Sequence, residues 1–192
     1  MHREVVVYSA MRRIFQIAAV AIAVLNLTFG QVKVSASPKG DDAVAREPFT
    51  LKLRDKDHDY EKHFDERVPF VANNSVNLFA GEKFGINLKV SADASEVTYQ
   101  PDAKKADVWF VFTQEKKLAG GVGMMLVVQN KLKSEIRMEG LMTVPRRDGV
   151  FKTGILPIGA GLSNFESWPH PIVELTLKNF RLSETAAGKS GK

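Results

Sequence analysis

Apolar and polar residues take turns along much of this chain, and that period of two constrains the fold more than any other feature. Phe49, Leu51 and Leu53 alternate with Thr50, Lys52 and Arg54. Phe84, Ile86, Leu88 and Val90 alternate with Lys83, Gly85, Asn87 and Lys89, and Val173, Leu175 and Leu177 with Glu174, Thr176 and Lys178. Successive side chains of a strand point to opposite faces, so each run describes a strand with one wet and one buried face. Two other runs, VWFVF (Val108–Phe112) and MMLVV (Met124–Val128), are apolar at every position. They suit central strands covered on both faces, or strands with one face at a partner.

Turn signals separate these runs at short intervals: Asn73–Asn74, Ala80–Gly81, Gln100–Pro101–Asp102, Gly120–Gly121 and Gly159–Ala160–Gly161. In RRDGVF (Arg146–Phe151), Asp148–Gly149 suits a type I′ hairpin turn. The apolar sets of two strands read as broken midway, between Ile136/Met138 and Met142/Val144 and between Val173/Leu175/Leu177 and Phe180/Leu182. A β-bulge reverses the inward face, and Gly140 is the natural place for one. The expected fold is mainly β: an antiparallel β-sandwich or jelly-roll-like domain with one short surface helix.

The ends differ from this body. Arg12 and Arg13 precede an apolar run, Ile14–Gly30, and Val34 and Ala36 stand at the −3 and −1 positions of a small-residue cleavage site. That is the pattern of a secretory signal peptide over residues 1–36, cleaved after Ala36; Met11 is an alternative start. The apolar core Ile17–Leu27 is shorter than the roughly 20 residues that span a bilayer, so an uncleaved anchor is the weaker reading. Export to the periplasm or the medium follows, with no stable membrane insertion after cleavage. A flexible lead-in over 37–47, one domain over 48–184 and a disordered tail over 185–192 complete the expected organisation.

Cleavage changes the charge argument. The whole chain carries 27 basic and 22 acidic residues. Residues 1–36 hold Arg3, Arg12, Arg13 and Lys33 against Glu4, which leaves 23 basic and 21 acidic residues. Nucleic-acid binding needs a concentrated basic stripe, and the basic pairs here are scattered. The chain has no cysteine, which excludes disulfides, thiolate metal sites and a Cys nucleophile.

Three segments are candidate sites. DKDHDYEKHFDERVP (Asp55–Pro69) places acids at spacings that resemble a calcium loop, with Asp55, Asp57 and Asp59 as ligands. Tyr60 and Lys62 occupy positions where an EF-hand needs Gly and an apolar residue, and the odd spacing of His58 and His63 is poor for zinc. The better reading is a surface helix from about Asp57 to Arg67, pinned by Tyr60 and Phe64 one turn apart and stopped by Pro69. NFESWPHP (Asn164–Pro171) gathers Glu166, Trp168 and His170 on a loop stiffened by two prolines, able to stack and hydrogen-bond a sugar or ring ligand. KKLAGGVGMML (Lys116–Leu126) lacks the pattern of a phosphate loop and reads as a hairpin.

No GxSxG, HExxH or SxxK occurs in the sequence. Glu135 and Glu139 share a strand face and are the carboxylate pair to weigh for glycan hydrolysis. The expected function is an exported, soluble, non-catalytic binding or structural protein of the cell envelope, whose ligand is a glycan, an envelope component or a protein. The alternatives are an envelope glycan hydrolase using Glu166 or Glu135/Glu139, and an interaction module stabilised by Ca²⁺.

Overall fold

The computed structural model describes residues 44–55, 58–91, 95–116 and 121–183. The expected signal peptide, the start of the lead-in, Asp57 and the expected tail lie outside the described residues. Among the described residues every regular element is a strand. In chain order these are β1 (Ala45–Arg46), β2 (Phe49–Asp55), β3 (His58–Phe64), β4 (Val68–Pro69), β5 (Val71–Ala72), β6 (Ser75–Leu78) and β7 (Glu82–Val90). They continue with β8 (Ser95–Gln100), β9 (Val108–Lys116), β10 (Val122–Asn130), β11 (Glu135–Thr143), β12 (Phe151–Thr153), β13 (Ser163–Trp168) and β14 (Glu174–Ser183).

Two five-stranded antiparallel sheets form a sandwich. One runs in the order β13-β10-β9-β7-β8, the other β12-β11-β14-β6-β5. The period-two runs supply the filling. Phe84, Ile86, Phe110, Phe112, Leu126 and Val128 from the first sheet meet Val76, Leu78, Ile136, Leu175, Leu177 and Phe180 from the second. Burying large apolar side chains on facing sheets is the main force holding the layers, at roughly 1.5–3 kcal/mol for each one fully buried. The chain crosses between sheets at β6–β7, β10–β11, β12–β13 and β13–β14.

The two fully apolar runs behave differently on their two faces. Phe110, Phe112, Leu126 and Val128 are buried, while Trp109, Val111, Met125 and Val127 point away from the core and stay partly exposed. Of the two readings open to these runs, coverage on both faces is not what the described residues show.

The expected surface helix is a correction. His58–Phe64 is strand β3, paired with β2 from Phe49↔Phe64 to Asp55↔His58. Tyr60 and Phe64 do share a face, but a spacing of four is even and serves a strand as well as a helix. Their face carries Phe49, Leu51 and Leu53 and closes over Phe79 and Val173. Phe49 stacks on Phe64 at 4.8 Å, and Phe79 meets both edge-on. The opposite face pairs Arg54 with Asp59 and Lys52 with Glu61 across the strands. Asp59 and Glu61 are thus on the solvent side of a hairpin. Gln114 ties that hairpin to the sandwich: its side-chain amide donates to Arg54 O and accepts from Arg54 N, both at 2.8 Å.

Ala45 and Arg46, two residues of the expected flexible lead-in, form strand β1. Arg46 in β1 has 0% of its surface exposed. Its guanidinium forms a two-point ion pair with Glu82, through Nε to Oε1 and Nη2 to Oε2. The remaining N–H groups go to the carbonyls of Val68, Pro69 and Asn77 at 3.2, 3.0 and 2.6 Å. All five donors of the fork are used. Phe70 lies 3.9 Å below the cation, with Phe79 and Phe84 further out.

The bulge falls on the neighbouring strand rather than at Gly140. Ile136, Met138, Gly140 and Met142 keep one parity along β11. The register slips between Arg137↔Arg181 and Glu139↔Lys178, so β14 carries the extra residue. Asn179 takes a left-handed conformation there, with φ 55°, and the inward set shifts from Leu177 to Phe180 as the sequence implies. Gly140 instead permits a close approach of β12, since a Cβ there would stand 2.7 Å from Thr153 Cγ2. We expect Asn179→Val to destabilise the protein by about 1–2 kcal/mol, the cost of a left-handed L-residue, and Asn179→Gly to leave stability near the native value. Urea unfolding measures both, and equal effects of the two substitutions would contradict the assigned bulge.

Candidate functional site

The residues expected to bind a ligand at the end of β13 have structural partners instead. Trp168 is 8% exposed. It meets Phe112 edge-on, and its Nε1 donates to Thr153 Oγ1 at 2.8 Å. Its ring plugs the space between β10, β12 and β13. Glu166 Oε1 accepts from Leu156 N at 2.9 Å and from Asn164 Nδ2 at 2.7 Å, which fastens the crossover loop before β13. His170 stands apart, beyond Pro169.

Glu135 and Glu139 lie on the outer face of the second sheet with Arg137 between them. Glu135 accepts from Arg137 Nε at 2.8 Å and from Ser183 Oγ at 2.9 Å. Those hydrogen bonds hold its carboxyl below the usual range. The general acid of a glycosidase needs the opposite shift. Asp55 and Asp59 sit on opposite faces of the β2–β3 hairpin, since Asp59 pairs with Arg54 and Asp55 with His58. The strand pairing separates them, and Asp57 lies outside the described residues. Among the described residues no group of three or more His, Asp or Glu is placed to hold a metal ion.

What the structure does bring together is His170 and Asp55. A cleft of about 400 Å³ opens between the β11–β12 loop, the start of β12, the β13–β14 loop and the end of β2. Met142, Val144 and Phe151 give it apolar surface, Pro145 and Pro171 stiffen its walls, and Arg147, Lys152, His170 and Asp55 supply its polar groups. Asp55 faces Arg146 at 3.6 Å, so its charge is already countered. His170 Nδ1 donates to Pro171 O at 3.1 Å, which orients the ring and leaves Nε2 for other partners.

No known family, characterised protein or solved structure matches this chain. The site therefore stands on its own geometry.

The β11–β12 loop that forms one wall departs from the expected type I′ turn. The hairpin forms, but its last pair is Met142↔Phe151, and residues 144–150 between β11 and β12 make a longer loop. The left-handed positions are Arg146 (φ 58°) and Gly149 (φ 99°), not Asp148. A type I′ turn does form at Asn73–Asn74, where both residues have positive φ between Ala72 and Ser75. The longer loop swings Arg146 toward Asp55 and sets Arg147 at the cleft. Sequence reasoning missed Arg147, Lys152 and Phe151 because they look like ordinary hairpin residues; the run of two arginines before Asp-Gly was the available signal.

Near the same hairpin, Glu174 starts β14. Burial pushes its carboxyl above the usual range, outweighing the opposing pull of Arg46 and Lys62, and Glu82 adds to the rise. A carboxyl raised in the fold binds its proton better there than in the unfolded chain. Its contribution favours the fold at low pH and is lost as pH rises from the ordinary carboxyl range through the raised value. We expect Glu174→Gln to melt above the wild type at neutral pH, with the difference shrinking as pH falls through the carboxyl range. A melting-temperature difference that is constant with pH would contradict the assignment.

Proposed function

We propose that this is an exported, non-catalytic binding protein of the cell envelope, and that it holds an acidic glycan in the cleft beside Phe151. One observation carries the reading. Arg147 and Lys152 line the cleft with no acidic partner among the described residues, next to an aromatic ring, while the only lining acid is countered by Arg146.

The chemistry follows from those groups. An arginine fork matches a carboxylate, sulfate or phosphate in two-point geometry, and a lysine adds a mobile charge. The C–H face of a sugar ring packs on an aromatic side chain such as Phe151. His170 contributes a directional hydrogen bond from a backbone stiffened by Pro169 and Pro171. The cleft volume falls within the range that takes a sugar unit or two. The sequence pattern over residues 1–36 supports export, and the absence of a facing carboxylate pair among the described residues favours binding over hydrolysis.

Calorimetric titration with matched acidic and neutral oligosaccharides tests the proposal. The expected outcome is binding of the acidic members only, weakening as salt is raised. Arg147→Ala and Lys152→Ala should each lower affinity by about tenfold, since a hydrogen bond to a charged group contributes roughly 1.5–3 kcal/mol. Their melting temperatures should stay unchanged, because both side chains are exposed. Equal binding of neutral and acidic sugars, or variants that bind like the wild type, would overturn it.

A further inference from the structure

The four outer edges of the two sheets are not treated alike. In the second sheet the edge strands are short, β5 with two residues and β12 with three. In the first sheet β8 is longer, but the β5–β6 turn caps it: Asn74 Oδ1 accepts from Val97 N at 3.3 Å. Short edges and capped edges resist pairing with other chains. β13 has six residues, Ser163–Trp168, and contains no proline and no lysine or arginine.

The phase of its ladder can be read. Asn130 N donates to Leu162 O at 2.9 Å, so Asn164, Glu166 and Trp168 exchange hydrogen bonds with their β10 partners Val128, Leu126 and Met124. The N–H and C=O groups of Ser163, Phe165 and Ser167 then point away from β10, and no backbone partner for them occurs among the described residues. Phe165 is 65% exposed. It continues a row that crosses the outer face of the sheet through Val127 and Val111.

We propose that a second copy of this chain pairs with β13, antiparallel about a two-fold axis at Phe165, so that the two first sheets become one continuous sheet. The sequence of the strand is self-complementary about that residue. Ser163 would face Ser167 of the other copy, and Phe165 would face its own counterpart. Asn164 would face Glu166 across the axis, an amide donor opposite a carboxylate that already accepts from Asn164 within one chain. The outward backbone groups at Ser163, Phe165 and Ser167 find partners, and the outer apolar rows of the two copies join. The pairing is independent of the cleft.

Sedimentation velocity over a concentration series tests the pairing, using the wild type and two charge variants. The wild type should be a dimer. Phe165→Lys and Phe165→Glu should each sediment as a monomer, because like charges directly opposite each other repel. Both should still unfold cooperatively, at a melting temperature that does not change with protein concentration, since the side chain is exposed in the single chain. An equimolar mixture of the two should return to a dimer, because Lys and Glu then face each other across the axis. A monomeric wild type at every concentration would overturn the proposal, whether or not it takes up another protein. So would dimeric single variants, or a mixture that stays monomeric. As a check of register, Phe165→Cys in this cysteine-free chain should oxidise to a covalent dimer. A hydrogen-bonded pair places Cα atoms about 5.5 Å apart, within disulfide range. Ser163→Cys alone should not cross-link, and the reverse result would contradict the register.

Discussion

The buried pair of Arg46 and Glu82 is the constraint on which the rest of the sandwich depends. A guanidinium with no exposed surface is tolerated only if every donor is met, because the desolvation of an unpaired buried ion amounts to several kcal/mol. Here the acceptors come from four places: the Glu82 carboxylate and the carbonyls of Val68, Pro69 and Asn77. They belong to β7, β4 and β6, which are thereby fixed around one point. Glu82 in turn accepts from Phe79 N at 2.9 Å and closes the crossover from β6 to β7. The aromatic rings around the cation bridge the main core and the smaller cluster under the β2–β3 hairpin.

The same device recurs where the chain changes sheets. Asn130, fully buried at the end of β10, donates to the carbonyls of Ser134, Ile158 and Gly159 and accepts from Leu132 N. It holds the crossover to β11 against the loop before β13. Glu166 caps Leu156 N in that loop, and Trp168 anchors the next crossover on Thr153. Crossovers leave backbone groups without ladder partners, and a buried polar group without a partner is costly. Side chains that can donate and accept are therefore drawn to these places. The cleft proposed to bind a ligand lies beside these places, and its Arg147 and Lys152 side chains have no such duty.

Much of the fold was legible because period two is a local signal. Strands such as Phe84–Val90 and Val173–Leu177 face the way their alternation implies, and the register shift in the last strand was visible as a change of parity before Phe180. The hairpin at Asp55–Pro69 was misread because Tyr60 and Phe64 fit both periods; the deciding fact, pairing with Phe49–Asp55, is non-local. Arg46 was invisible for a related reason. A lone arginine in a polar lead-in reads as solvated, and only the arrival of Glu82, thirty-six residues on, makes it a core residue. At the candidate site, Trp168 and Glu166 drew attention by composition, which says nothing about what a side chain touches. His170 and Asp55, singled out for separate reasons, do meet at one cleft.

The central claim is that Arg46 and Glu82 act as one unit, and a double-mutant cycle on unfolding free energy tests it most directly. The substitutions are Arg46→Met, Glu82→Leu and both together. Each single change should cost about 3–5 kcal/mol by leaving a buried charge without its partner. The double variant should be no less stable than either single, giving a coupling of at least about 3 kcal/mol, since each single loss is about 3–5 kcal/mol. Additive losses, with the double variant destabilised by the sum of the two, would contradict the account.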